Sequence, residues 1–543
     1  MSSDLLRRGA CVWAAGVWWL VVAGASAQVA SESAQVASES AQAAPGAAGD
    51  HSADASQQAG PATSTTSGTG DDPASVRRIR YFIERIEIRG NHHTRKRALR
   101  RYLTLRPGDT LDVDDPDVES MRFRLLGTGW FHDVRFRLRR GSKRGWVVLV
   151  VEVEERNTLI VQRGTAGVSK VVRRSQSRPA LEPYAGIGVA ETNLFGLGIG
   201  AAATAVVSSA QYGFELRYTD PRFLGTSYEL AAQVFFNNAR EFFGKEGTPL
   251  VSIRCPPPPV PCPDDVKSKT AVVIYRRGGL AVGTGHDITA SLRYALDWRG
   301  ELIQVRDKPD AASTTRGADI VPIDFHIHNG LSRVSSVVMS LIYDRRDDPG
   351  LPARGQLLRF RGMLSDALLG SSYDFTRLEA SAELWSPLSW GHVLRVGAFA
   401  GVVFGGAPFF YHFYASDLSN LIPSRLLELN LDHRSPPDLL GTTAAEMRKE
   451  QVAGRIDLEY SLPLRRGGEG VYAIDAYALV GLYALAQRND LRFAVPGYEG
   501  LARVPVDLTF DLGVRVDTAI GLFQLGFSNV LGFLPLLESG DSS

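Results

Sequence analysis

The sequence predicts a mainly β protein: a small α/β module of order β-α-α-β-β, then an antiparallel transmembrane β-barrel of about sixteen strands. Three observations predict it. Alternating apolar and polar residues recur through the C-terminal two-thirds in about fifteen segments of about ten residues, the length at which a tilted strand spans a bilayer. The connections between them alternate short and long, a sorting that a soluble sandwich gives no reason for. The N-terminus reads as an export signal.

The clearest segment is Val506 to Ile520, V-D-L-T-F-D-L-G-V-R-V-D-T-A-I. One parity holds Val506, Leu508, Phe510, Leu512, Val514 and Val516; the other holds Asp507, Thr509, Asp511, Gly513, Arg515 and Asp517. Successive side chains of a strand point to opposite faces, so one face is apolar and the other charged. The same division runs through Gln211 to Asp220, Thr376 to Trp385 and Val452 to Leu462. A basic residue facing lipid at mid-bilayer costs about 2–4 kcal/mol, which explains charges confined to one parity. The short connections are Asn193 to Gly198, Asp220 to Thr226, Asp344 to Gly355 and Leu464 to Gly470. The long ones are Asn238 to Ser268, Gly300 to Ser332 and Gly406 to Glu450.

Composition narrows the function classes. Among 543 residues the formal net charge is +1, so no whole-chain field points to nucleic acid. A hydrophobic content of 44% excludes a bundle of membrane helices but not a barrel, whose strands are half apolar. Residues 1–27 read as a signal peptide: Arg7-Arg8, an apolar run from Ala10 to Gly24, and the A-x-A site Ala25-Ser26-Ala27. Residues 28–76 repeat Q-V-A-S-E-S-A and then run to Ala, Gly, Ser, Thr and Pro, too polar to offset ordering entropy, so a disordered linker is expected. Cys255 and Cys262 share a Pro-rich loop; a local disulfide is expected, with a metal site the alternative.

Residues 77–157 carry the module. Tyr81 to Arg89 alternates as a strand, Thr94 is placed to cap a helix through Leu105, and Asp117 to Leu126 forms a second. Val134 to Leu138 and Trp146 to Val153 complete it. The first helix is strongly basic (Arg95, Lys96, Arg97, Arg100, Arg101): a solvated face, or a surface for anionic lipid or an acidic partner. Residues 158–543 form the barrel, with a last strand from Leu522 to Phe533 and a weak first strand expected within Asn157 to Val172 to complete an even count.

No G-x-S-x-G elbow, H-E-x-x-H pair or phosphate loop is present, so no enzyme and no cofactor is expected. Asp324, His326 and His328 in D-F-H-I-H share a strand parity; ordinary polar residues near a loop is the reading preferred to a metal pair.

I-E-I-R-G-N (Ile86 to Asn91), L-R-P-G-D (Leu105 to Asp109) and G-T-G-W-F-H-D-V (Gly127 to Val134) resemble a POTRA domain, with Gly90, Asn91, Gly108, Asp109, Gly127, Gly129 and core Phe131 as its turn and core residues. The barrel resembles the bacterial surface antigen type of the BamA-like outer-membrane assembly factors. The matching stretches are N-L-F-G-L-G at Asn193, Y-T-D-P-R-F-L-G-T at Tyr218, P-F-F-Y-H-F-Y-A at Pro408, and the mid-barrel turn with Asp344, Arg346, Pro349, Pro352 and Gly355. The resemblance implies an outer-membrane protein, its POTRA domain in the periplasm, that inserts β-barrels or translocates chains. Its partners would be outer-membrane lipid, unfolded barrel clients, and periplasmic or lipoprotein subunits. An incoming strand would pair with an edge within Trp146 to Val153. The resemblance also implies a loop arginine in the lumen, here Arg425, paired with Glu459 or Asp475. A two-partner secretion pore and a passive porin or surface protein are the alternatives.

Overall fold

The computed structural model describes residues 80–112, 116–171, 180–243, 251–253, 271–289, 291–316, 319–348, 351–418, 425–431, 439–446, 449–468, 470–488, 495 and 497–528. The expected signal and linker, Cys255, Cys262 and Pro349 lie outside the described residues.

The module comprises β1 (Arg80–Arg89), α1 (Lys96–Arg100), β2 (Thr110–Asp112), α2 (Pro116–Leu126), β3 (Phe131–Arg140) and β4 (Trp146–Glu155). Its sheet runs β2-β1-β4-β3, with β1 parallel to β4. Leu99 of α1 and Met121 and Leu125 of α2 bury against Ile83, Phe131 and Val151 of the sheet.

Three expectations are corrected here. Strand β4 is paired on both sides, so it is not the receiving edge. Its run Val147–Val151 is buried throughout, the unbroken apolar stretch of a central strand. The sheet's outer strands are β2 and β3. Helix α1 is five residues long rather than Thr94 to Leu105, and Thr94 does not cap it. The Thr94 N–H donates instead to Glu155 at 2.6 Å. Strand β2, absent from the expected order, adds a short second partner to β1.

The wall is a meander in which each strand lies antiparallel to the next. It begins with β5 (Leu159–Val171), β6 (Ala180–Leu194), β7 (Ile199–Ser208), β8 (Tyr212–Asp220) and β9 (Tyr228–Phe243). It continues with β10 (Ala271–Asp287), β11 (Leu292–Asp307), β12 (Leu331–Asp344), β13 (Gly355–Ser365) and β14 (Phe375–Pro387). It ends with β15 (Val393–Gly405), β16 (Val452–Arg466), β17 (Val471–Ala486), β18 (Val506–Thr518) and β19 (Gly521–Ser528). That is fifteen strands among the described residues, against about sixteen expected. Strand β5 is the weak first strand anticipated near Asn157.

The wall is apolar outside and polar inside. On β18, Asp507, Thr509 and Asp511 are at most 2% exposed while Leu512 is 42% exposed. On β16, Asp457 and Glu459 are buried while Ile456 and Leu458 stand out. The four short connections gather at the end that carries the module, and the long ones gather at the other. Strands β9 and β11 run to Phe243 and Asp307, past Asn238 and Gly300, where two of the long connections were expected to begin. The D-F-H-I-H stretch is irregular rather than a strand. It separates its histidines: His326 packs edge-on to His412, and His328 stacks on Tyr373.

Candidate functional site

The interior is occupied by the connection between β15 and β16. Phe413 lies where a side chain on wall residue Gly401 would sit; a Cβ there would come within 2.3 Å of its ring. Further along, Arg425–Leu426 and Leu429–Asn430 pair as a two-residue hairpin. Its apex residues, Leu427 and Glu428, both have positive φ, 51° and 63°. Such turns ordinarily use Asn-Gly or Asp-Gly, and non-glycine residues there carry strain that the surroundings must sustain. The surroundings do so. Wall residues Asn237 and Gln211 donate to the carbonyls of Leu427 and Asn430 at 2.7 and 2.8 Å. Asn430 donates to Glu241 at 3.1 Å.

The apex aims Glu428 at a wall cation. Arg277 of β10 is 1% exposed and forms an ion pair with Glu428. It also grips Glu301 of β11 with two nitrogens, at 2.5 and 3.0 Å, and donates to Tyr411 at 3.1 Å. Its guanidinium lies 4.3 Å from the Phe410 ring centroid. A second wall arginine, Arg299, pairs with Glu301 and sits 4.6 Å over Phe235. Two arginines thus face two carboxylates inside the barrel, a balance that makes burial tolerable.

Arg425, expected as the loop anchor, lies on this hairpin and donates to the Phe410 carbonyl at 2.9 Å. It borders a cavity of about 460 Å³ together with Glu215, Arg217, Arg361, Arg377 and Glu428. The carboxylates expected to receive it have other partners. Glu459 is held bidentately by Arg515, at 2.5 and 2.8 Å, and approached by Arg395 at 3.3 Å. Asp475 pairs with Arg466. The expected pairing is therefore corrected: neither expected carboxylate receives Arg425, and the connection meets the wall through Glu428 on Arg277 and through Lys449 on Glu241, the latter at 2.9 Å. Sequence reasoning missed the Glu428 contact because Leu-Glu is not a turn signal.

The remaining expected residues serve turns. Gly90 has φ 84°, and a Cβ on it would fall 2.0 Å from the Val153 carbonyl oxygen. Asn91 donates to the Thr94 carbonyl, Gly108 to that of Ile83, and Asp109 accepts from the Arg106 N–H. Gly127 and Gly129 follow α2, and Phe131 is buried below them. In the β12–β13 turn Arg346 clasps Asp344 at 2.7 and 2.9 Å, and Gly355 closes it beyond Pro352.

The module grips the wall on both sides of its joint. On one side the Arg95 N–H donates to Gly196 at 2.9 Å, Trp130 donates to Thr192 at 2.9 Å, and Asn193 donates to Thr94 at 2.8 Å. On the other side Arg156 reaches Asp517 and the Thr518 carbonyl at 3.1 and 3.0 Å, and His132 stacks on Tyr472. Between them lies the joint of β5 with the start of β19. The Val161 N–H donates to Ile520 at 2.8 Å, the one backbone bond across that joint among the described residues. Strand β5, in contrast, pairs with β6 along its whole length.

Glu155 ties the module's first turn. Its carboxylate accepts from the N–H groups of His92, His93 and Thr94 at 2.9, 2.8 and 2.6 Å. Burial would push its carboxyl up, but these donors hold it down at about 2.

Residues 193–420 match the Omp85 superfamily domain, and residues 81–156 match the surface antigen variable number repeat of the POTRA family. The outer membrane protein assembly factor BamA of Nitratidesulfovibrio vulgaris is 24% identical over 349 residues, 64% of this chain. The match spans 38% of that relative's length. Among solved structures, BamA from Haemophilus ducreyi lacking POTRA domains 1–3 has a TM-score of 0.45 at 14% identity, covering 85% of this chain and 82% of that one. CdiB from Escherichia coli has a TM-score of 0.48 at 11% identity, covering 83% and 73%.

Proposed function

We propose, from the premise that this chain belongs to the Omp85 superfamily, that it works in the outer membrane as an assembly factor, inserting client β-barrels through the joint between β5 and β19. The POTRA domain then faces the periplasm, where it receives unfolded clients and any periplasmic or lipoprotein subunits. The observation that carries the reading is the single backbone bond, among the described residues, at a joint flanked by POTRA contacts on both sides. A wall opens most readily where fewest bonds must break, and an opened joint offers unpaired strand edges to a client. The chemistry is strand exchange, with no bond made or broken covalently and no cofactor.

A passive porin is disfavoured by the interior, which the β15–β16 connection fills with Phe409, Phe410, Phe413 and the hairpin. Secretion of a partner protein uses the same scaffold and is separated by experiment. Pairing Val161→Cys with Ile520→Cys locks the joint. Loss of many outer-membrane barrels under oxidation, reversed by reductant, supports assembly; loss of one secreted protein supports secretion. A locked joint with normal levels of both would refute the reading.

A further inference from the structure

Helix α1 has no role in that reading, and its exposed face is wholly basic. Lys96, Arg97 and Arg100 are exposed, no acid stands in its first turn, and no carboxylate among the described residues pairs with these three. The helix is held at the barrel rim by two wall turns. Arg95 donates through Nε to the Phe195 carbonyl at 3.2 Å, and Arg101 donates to that of Leu197 at 3.5 Å while approaching Asp220 at 3.9 Å. From the β8–β9 turn, Arg222 lies 5.9 Å over Tyr102.

Each of these turns carries an apolar residue at its tip. Phe195 is 75% exposed and Leu224 83%, and both adopt positive φ, 55° and 54°. A strained backbone that pushes a large apolar side chain into solvent gains nothing in water. The tips continue a lipid-facing band: Tyr228, Phe214 and Leu216 stand exposed on the strands directly above.

We propose that α1 and the tips Phe195 and Leu224 form a docking surface for anionic phospholipid headgroups on the leaflet nearest the POTRA domain. The tips enter the interface, and Lys96, Arg97 and Arg100 meet the phosphates. The proposal rests on the outer-membrane reading. It predicts that the POTRA domain is oriented by the lipid as well as by the wall.

Benzoylphenylalanine placed at Phe195, Leu224 or, as a reference on the wall, Leu216 of the full-length protein tests it by photocrosslinking in nanodiscs with and without phosphatidylglycerol and in native membranes. Lipid adducts at 195 and 224 comparable to those at 216 are expected. With Lys96→Gln, Arg97→Gln and Arg100→Gln combined, the preference of the 195 adduct for phosphatidylglycerol should fall about tenfold or more. Lipid adducts at 216 alone, with only protein adducts at 195 and 224, would overturn this proposal and leave the barrel standing. An unchanged lipid preference in the triple variant would overturn the headgroup contact. Absence of lipid adducts at 216 would overturn the membrane reading beneath both.

Discussion

The POTRA domain and the barrel are built from the same alternating strands and bury opposite faces of them. In the domain, Ile83, Phe131 and Val134 are inside and the arginines of β3 lie outside. In the barrel, Asp457, Glu459 and Asp507 are inside and Ile456, Val480 and Leu482 lie outside. The residues do not differ in kind; the surroundings do. The domain hides its apolar face from water, whereas the barrel shows its apolar face to lipid and keeps its charges for a wet, mutually paired interior.

The contrast can be broken most severely at its extreme point, a cation wholly enclosed by the barrel. Arg277→Leu leaves Glu301 and Glu428 facing each other without their main partner. A loss of about 3–5 kcal/mol is expected in urea unfolding from detergent, with the hairpin exposed to protease before the wall melts. Next comes the outer face. Leu216→Arg should cost about 2–4 kcal/mol in vesicle refolding, whereas Arg97→Leu on the domain surface should change its stability by less than about 0.5 kcal/mol. Equal effects would erase the distinction between the two solvents.

A smaller effect sharpens the domain side. Since the Glu155 carboxyl titrates at about 2 in the folded chain against an ordinary 4.5, its contribution is fully present above about pH 4.5 and is lost as the pH falls towards 2. The melting temperature of the POTRA transition should therefore drop over that window, and Glu155→Gln should flatten the drop. A small effect is also expected at the part-buried pair of Arg156 with Asp517. Asp517→Asn should cost about 1 kcal/mol or less, read as a slight rise in hydrogen exchange at Val161.

Much of this was legible in the chain. Parity alone assigned the inner and outer faces of β8, β14, β16 and β18, because a bilayer penalises a misplaced charge residue by residue. The POTRA turns were legible because Gly90 and Gly129 occupy backbone conformations that favour glycine. What was not legible depends on distant pairing. That β4 is central was signalled by its unbroken Val147–Val151 run, yet its neighbours are set by the sheet. The Arg277–Glu428 pair joins residues 151 positions apart through an apex without turn residues. Arg277, between Tyr275 and Gly279, looks like any other inward residue until the hairpin arrives.

The joint of the wall has a consequence for how the molecule is made. Every other wall pairing links strands that follow one another in the chain, but this one brings residue 161 to residue 520. During synthesis the earlier strands exist for a long interval as a sheet with an open border, greasy on one surface and ready to add any stray strand. Closure of the ring therefore waits on the last strand made, and until then the wall keeps two unpaired borders.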